Sequence, residues 1–158
     1  MESASGIDAK ADALAFLGDL VAAQSGGEAA VQALIAGRLE RAGCEVEEVV
    51  YDPGAVPVKG EFAADGARNP EQRRAVVGRL PGRADHASLL LFAHPDGEPA
   101  TDTSDWQREP FVGTLDGERF YGWGVADDLA GCASAVLALE RVASAPGERG
   151  SVVFASTP

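Results

Sequence analysis

Apolar residues in the first part of the chain recur at helical spacing and predict two helices. The first covers residues 7–23, with Asp8 as its N-cap. The segment from Ser25 to Glu28 has the form S-x-x-E, which predicts a capping box that opens a second helix. Its apolar stripe runs to Leu39, and Gly43 suits the left-handed position that follows a helix.

Short segments rich in Val, Leu and Ile predict four strands, at residues 44–51, 75–80, 88–93 and 151–156. Residues 52–74 are rich in Pro, Gly and charge, and predict a long irregular connection with room for one short strand. Residues 88–93 are nearly all apolar, as in a central strand covered on both faces. Asp116-Gly117 predicts a hairpin within residues 111–123.

A third helix is predicted for residues 127–143, which are rich in Ala, Leu and Val and are followed by Pro146-Gly147. A strand, a loop, a helix and a further strand make a βαβ unit. The pattern therefore predicts an α/β fold with a mostly parallel sheet flanked by helices. Ligands of such sheets bind beyond the carboxyl ends of the strands.

Composition limits the classes of function and of binding partner that this chain is expected to have. The 158 residues are 46% hydrophobic, which suits one globular domain. The 13 basic and 25 acidic residues give a net charge of −12, so nucleic acid is not an expected partner. No segment approaches the ~18 apolar residues of a membrane span, and no signal peptide is evident, so we expect a cytoplasmic protein without a membrane partner. Cys44 and Cys132 lack metal-site spacing and are expected to be core residues.

The apolar segment 88–93 is followed by His94 and, two positions later, Asp96. A neutral imidazole binds zinc, manganese or cobalt. Alternate side chains of an extended segment point the same way, so Asp96 can accept the ring N–H of His94 and fix its tautomer. For this short motif alone, a histidine that hydrogen-bonds locally at a strand end is the alternative.

A second acidic pair, Asp127-Asp128, follows a glycine-rich turn around Trp123. Adjacent carboxylates repel each other unless a cation or hydrogen bonds intervene, and a helix N-terminus favours their charge. A simple N-cap is the alternative for one of them. Two such clusters at the ends of neighbouring elements favour a divalent-metal site.

The combined pattern LLLFAHPD, W, PF and DGERFYGWGVADDLAG resembles the M20 metallopeptidase and aminoacylase superfamily. This group includes carboxypeptidases, dipeptidases, deacetylases and succinyl-diaminopimelate desuccinylases. The segment AQSGGE resembles the family's S-P-S-G-x-E junction. The resemblance implies a zinc-peptidase-like catalytic domain that hydrolyses a C–N bond of a small-molecule substrate. It also implies one or two divalent ions (zinc, manganese or cobalt) that activate a water molecule as the nucleophile.

The resemblance also implies individual roles. His94 and Asp127 would be metal ligands, with Asp127 bridging two ions, and Asp96 would be the catalytic-site carboxylate that orients His94. A cis peptide is implied between Asp127 and Asp128. Trp123 stands where the family usually has Arg, and with Asp128 it is a candidate for the substrate pocket. Packing of Trp123 under the hairpin is the alternative.

The family strand that corresponds to residues 151–156 continues into D-E-E, which supplies the base and a further ligand, whereas Thr157-Pro158 stands there in this sequence. A catalytic metal needs about three protein ligands, and only His94 and Asp127 are good candidates. We therefore expect residues 1–158 to be the N-terminal portion of a metallohydrolase catalytic domain. Its partners would be the remainder of the same protein, as a second polypeptide that includes the lid or dimerisation domain, and further copies in a homo-oligomer.

Two alternatives remain open at this point. The chain could be an atypical member similar to 5-nitroanthranilate aminohydrolase, which displaces an amine from an aromatic ring, and Trp123 would suit such a substrate. Alternatively, it could be a non-catalytic α/β module that has kept the fold and lost the site.

Overall fold

The computed structural model describes residues 4–55 and 72–158. Within these ranges it contains three α-helices and six β-strands. In chain order these are α1 (Ala4–Ala23), α2 (Glu28–Arg41), β1 (Glu45–Tyr51), β2 (Arg73–Leu80), β3 (Leu89–Ala93), β4 (Thr114–Asp116), β5 (Arg119–Tyr121), α3 (Ala130–Ser144) and β6 (Val152–Ser156). The short strand expected between residues 52 and 74 falls largely on residues that lie outside the described ranges.

The predicted N-terminal signals of the first two helices are wrong. Helix α1 begins at Ala4, which places Asp8 inside the helix rather than at its cap. Ser25 does not cap α2 either, because its hydroxyl donates a hydrogen bond to the Ala22 carbonyl at 2.7 Å. The residue before α2 is Gly27, and the Glu28 carboxylate pairs with a distant arginine instead of closing a capping box.

The predicted end of α2 is confirmed. Gly43 adopts a φ of 84°, and its N–H donates to the Glu40 carbonyl at 2.9 Å. The N–H of Cys44 donates to the Leu39 carbonyl at 3.0 Å. These two bonds form a Schellman motif, which turns the chain from α2 into β1.

The main sheet has the strand order β1-β2-β6-β3. Strands β1 and β2 are antiparallel, as are β2 and β6, whereas β3 and β6 are parallel. The α/β class with helices against a sheet is confirmed, but the prediction of a mostly parallel sheet is wrong for the part of the chain that is described. Only the β3-α3-β6 unit has the predicted crossover, because β1 and β2 pair as antiparallel neighbours.

The core lies between one face of this sheet and the three helices. Strand β6 contributes Phe154, which is 0% exposed, and α2 contributes the fully buried Ile35 and Leu39. Arg38 joins the helices at the edge of the core. It donates to Glu140 of α3 at 2.7 Å and to Asp12 of α1 at 2.8 Å, while its guanidinium lies over the Phe16 ring.

The opposite face of the sheet is open. Leu90 and Phe92 of β3 are 63% and 77% exposed. The prediction that residues 88–93 form a central strand covered on both faces is therefore wrong within the described chain. Strand β3 lies at the edge of the sheet, and only its alternate residues Leu91 and Ala93 face the helices.

Two local predictions near the third helix have different outcomes. The hairpin β4-β5 is confirmed, with Gly117 at a φ of 60° in its two-residue turn. Helix α3 begins at Ala130, three residues later than predicted, because Asp127 and Asp128 have non-helical backbone angles. Among the described helices, none combines the length and the apolar character that crossing a membrane requires.

Candidate active site

The predicted site lies where β3 and β6 end side by side. Thr157 N–H donates to the Ala93 carbonyl at 3.0 Å, which closes the parallel pair just before His94. Strand β2 runs antiparallel to β6, so its first residue, Arg73, lies at this same end of the sheet. The buried Pro95 separates His94 from Asp96 as the chain leaves the strand.

His94 and Asp127 come together although they are distant in the sequence. The His94 Nε2 atom lies 2.9 Å from the Asp127 Oδ1 atom. The Asp127 side chain is 86% exposed and that of His94 is 42% exposed, so both side chains are accessible to solvent. The site therefore presents one imidazole nitrogen and one carboxylate oxygen on an open surface.

The other ring nitrogen of His94 faces Asp96. Nδ1 lies 3.1 Å from the backbone carbonyl oxygen of Asp96 and 3.5 Å from its Oδ1 atom. A carbonyl oxygen only accepts hydrogen bonds, so Nδ1 is the donor in this contact. The backbone of Asp96 is thus a closer partner of the ring than its carboxylate.

The surroundings of His94 raise its pKa above the ordinary value. Burial acts in the opposite direction and is the largest single influence. It is outweighed by the hydrogen bond to the Asp96 carbonyl and by the negative charges of Asp96 and Asp127 together. Two flanking acceptors favour the doubly protonated ring in the absence of a cation. A cation that replaced the Nε2 proton would meet the same negative charge.

Asp128 occupies a different position from its neighbour. The peptide bond between Asp127 and Asp128 is cis, as the family resemblance implies. The Asp128 carboxylate lies directly over Gly131 in the first turn of α3, where a Cβ atom would be 2.2 Å from Asp128 Oδ1. Burial, followed by the charge of Asp128, raises the pKa of the nearby Cys132 thiol to about 12.

Cys132 is fully buried, as expected of a core residue, and Cys44 is partly buried against the core. Both cysteines are free thiols. With a pKa of about 12, Cys132 holds its proton at neutral pH and is not a nucleophile.

Trp123 is anchored by an aromatic cluster. Its ring centroid lies 5.4 Å from that of Trp106 and 6.3 Å from that of Phe111. Its indole N–H donates to the Glu98 carbonyl at 2.8 Å, and its backbone carbonyl accepts from the Gln24 amide at 2.9 Å. The ring therefore links the loop after β3 to the turn before α3.

Arg73 and Glu28 also belong to the site, and they are absent from the residues predicted for it. Arg73 Nη2 lies 3.0 Å from Asp96 Oδ2 and 2.6 Å from Glu28 Oε2. Glu28 ends the AQSGGE segment that resembles the family junction, although the sequence pattern predicted only a capping role for it, and no local motif marks Arg73. A signal for Arg73 would have required knowledge of the antiparallel β2-β6 pairing.

The donor set fits part of a metal centre. An imidazole nitrogen and a carboxylate oxygen suit zinc, manganese or cobalt, and His94 Nε2 and Asp127 Oδ1 converge on one point. Within residues 4–55 and 72–158, no group of three or more His, Cys, Asp or Glu side chains is arranged to hold a metal. The described residues therefore bring together two side chains of metal-ligand type, fewer than the about three protein ligands that a catalytic metal needs.

Comparison with known proteins shows that the chain is similar to part of two succinyl-diaminopimelate desuccinylases. A succinyl-diaminopimelate desuccinylase from Leptothrix cholodnii is 34% identical over 131 residues, which are 82% of this chain and 30% of that relative. The desuccinylase from Xanthobacter autotrophicus is 32% identical over 124 residues, which are 78% of this chain and 28% of that relative. The chain thus spans less than a third of the length of these two relatives.

The fold and the family profile agree with these relatives. The structure of the M20 family metallo-carboxypeptidase Sso-CP2 from Sulfolobus solfataricus matches 99% of this chain and 31% of its own, with a TM-score of 0.67 and 16% identity. The profile described as Peptidase family M20/M25/M40 matches residues 90–158, which contain His94, Asp96 and Asp127. The chain belongs to peptidase family M20/M25/M40.

Proposed function

We propose that this chain is the N-terminal portion of the catalytic domain of a metal-dependent hydrolase. Its reaction is the hydrolysis of an amide-type C–N bond in a small-molecule substrate. The contact between His94 Nε2 and Asp127 Oδ1 carries this proposal, because it joins two metal-ligand types at the carboxyl ends of β3 and β6. The desuccinylase and carboxypeptidase names of the relatives support the reaction class.

In this proposal His94 and Asp127 hold one divalent ion or share two, of zinc, manganese or cobalt. Such an ion, when bound, polarises a carbonyl group and lowers the pKa of a water molecule. Asp96 keeps the His94 ring oriented through Nδ1, which leaves Nε2 for the metal. Trp123 and Asp128 lie on the neighbouring turn and are candidates for one wall of the substrate pocket.

The rest of the site is proposed to come from the remainder of the protein, as a second polypeptide. Two observations support this. The matched relatives are more than three times as long as the matched region, and within residues 4–55 and 72–158 one face of the sheet is exposed. Leu90 and Phe92 on that face are as exposed as surface residues although they are strongly apolar. A further layer that packed on β3 could bury them and supply the missing ligands and base.

The cytoplasmic location and the homo-oligomer expected from the sequence stay predictions. The acidic composition, with a net charge of −12, suits a protein that remains dispersed at high concentration. Size measurement of the complete protein by light scattering tests the oligomer, and a monomeric mass would contradict it.

Metal analysis and activity together test the hydrolase. The complete protein is compared with His94→Ala, Asp127→Asn and the control His86→Ala, since His86 lies in an exposed loop. Bound zinc, manganese and cobalt are measured, and hydrolysis is followed on a panel of N-acyl amino acids and dipeptides. We expect the two site variants to lose metal and activity and the control to keep both. A metal-free protein, or full activity of His94→Ala, would overturn the proposal.

A further inference from the structure

A continuous line of polar contacts leads from the start of α2 to the candidate metal ligands. Glu28 Oε2 accepts hydrogen bonds from Arg73 Nη2 at 2.6 Å and from Arg73 Nε at 3.0 Å. The same Nη2 donates to Asp96 Oδ2 at 3.0 Å. Asp96 contacts His94 through its backbone carbonyl, and His94 contacts Asp127. Arg73 is therefore the link between a helix end and the site.

The two ends of this line differ in secondary structure. Glu28 is the first residue of α2, and Arg73 is the first residue of β2, where it pairs with Tyr51 of β1. Asp96 lies in a segment after β3 that has no regular secondary structure. The Arg73 side chain is only 18% exposed, so its contacts are shielded from solvent more than those of a surface ion pair.

We propose that Arg73, held by Glu28, is a positioning residue for His94. By engaging Asp96 Oδ2, it leaves Oδ1 and the Asp96 carbonyl facing His94 Nδ1, so that Nε2 points to Asp127. The inference rests on the proposed function, in which His94 and Asp127 are metal ligands. Partners that orient a metal-binding histidine typically change metal affinity by about 10–100-fold.

Glu28 directly follows the N-cap Gly27, so it is not at the third helical position that a capping box requires, and its carboxylate binds Arg73 instead. The helix dipole also stabilises a carboxylate at the first residue of α2. The Arg73 guanidinium offers it two hydrogen bonds from a charged donor, which outweigh one bond to a backbone N–H. Glu28 thereby fixes the planar guanidinium, and the Nη2 atom that binds Glu28 also donates to Asp96.

The orientation of the His94 ring provides the direct test, measured on the metal-free chain by nuclear Overhauser contacts. The chain has only two histidines, so the ring signals of His86 serve as an internal reference. We expect the contacts between the His94 ring protons and the Asp127 β-protons to be lost in Arg73→Met and partly kept in Arg73→Lys. Unchanged contacts in Arg73→Met would overturn the proposal.

Two further variants separate positioning from folding. Arg74→Met removes the next arginine of β2, which is exposed and pairs with Glu48 at 2.9 Å, and should leave the His94 contacts as they are. Glu28→Gln keeps Arg73 and weakens only its anchor, so we expect an intermediate loss with an unchanged far-ultraviolet circular dichroism spectrum. If Glu28→Gln folds and keeps every His94 contact, the anchoring part of the proposal is wrong.

Titration of the complete protein, which would carry the remaining ligands, with Zn²⁺ alone, followed on the His94 ring signals, separates this inference from the proposed function. We expect Arg73→Met to weaken the apparent Zn²⁺ affinity about 10–100-fold and Arg74→Met to leave it unchanged. Equal affinities of Arg73→Met and the unaltered chain would overturn the positioning role. If Zn²⁺ never affects His94 while the metal-free contacts still depend on Arg73, the metal proposal fails and the positioning role stands.

Discussion

Phe92 and Phe154 lie on neighbouring strands but on opposite faces of the sheet, and they provide a matched test of the exposed sheet face. Phe154 is 0% exposed against the helices, so Phe154→Ala should lower the free energy of unfolding by about 3–5 kcal/mol. Phe92 is 77% exposed, which leaves about a quarter of its surface buried. Full burial of a Phe side chain contributes about 1.5–3 kcal/mol, so Phe92→Ala should cost only about 0.5 kcal/mol.

Urea unfolding of this chain, followed by circular dichroism, measures both values. The chain is kept dilute, and its monomeric state is checked by sedimentation, because self-association through the exposed sheet face would bury Phe92. A loss of about 3 kcal/mol or more for Phe92→Ala in the monomer would refute the reasoning. In the complete protein, the proposed second layer should raise the cost of Phe92→Ala towards that of Phe154→Ala. A cost that stayed near 0.5 kcal/mol there would contradict the layer.

The remaining predictions concern charge and reactivity. His94 has a raised pKa, so its stabilising contribution is complete below the unfolded pKa of about 6.5 and disappears as the pH rises through the folded pKa. The difference in unfolding free energy between the chain and His94→Ala should therefore shrink as the pH rises. A difference that increased with pH would contradict this prediction. Cys132, with a pKa of about 12, should resist iodoacetamide at pH 8 in the folded chain and react as fast as Cys44 only after unfolding, as mass spectrometry can show. Arg38→Met should cost about 1.5–3 kcal/mol in urea unfolding, since it breaks shielded bonds between charged groups. The exposed pairs of Arg83 predict a much smaller loss for Arg83→Met than for Arg38→Met, and equal losses would contradict the role of shielding.

Much of the local structure could be predicted because it depends on neighbours in the sequence. The helical stripes, the strand at residues 151–156 and the Gly43 helix end follow from side-chain periodicity and from the freedom of glycine at positive φ. Two kinds of failed prediction show the limit of local patterns. Ser25 and Asp8 matched capping patterns, but the helices begin at other residues. The apolar residues of β3 suggested a covered strand, yet apolar character alone does not say which part of the protein covers them.

The candidate chemistry can be read from the sequence: an imidazole two residues from one carboxylate, a pair of carboxylates at a turn, and their resemblance to M20 enzymes. Which of these atoms meet depends on the packing of the strands and helices. The parallel β3-β6 pair and the turn before α3 bring His94 Nε2 to Asp127, while Asp128 turns away over Gly131. The antiparallel β2 adds Arg73, which no pattern near the site predicts. The physical reason is that periodicity acts over a few residues, whereas contacts across a sheet depend on strand order and direction, which local patterns do not specify.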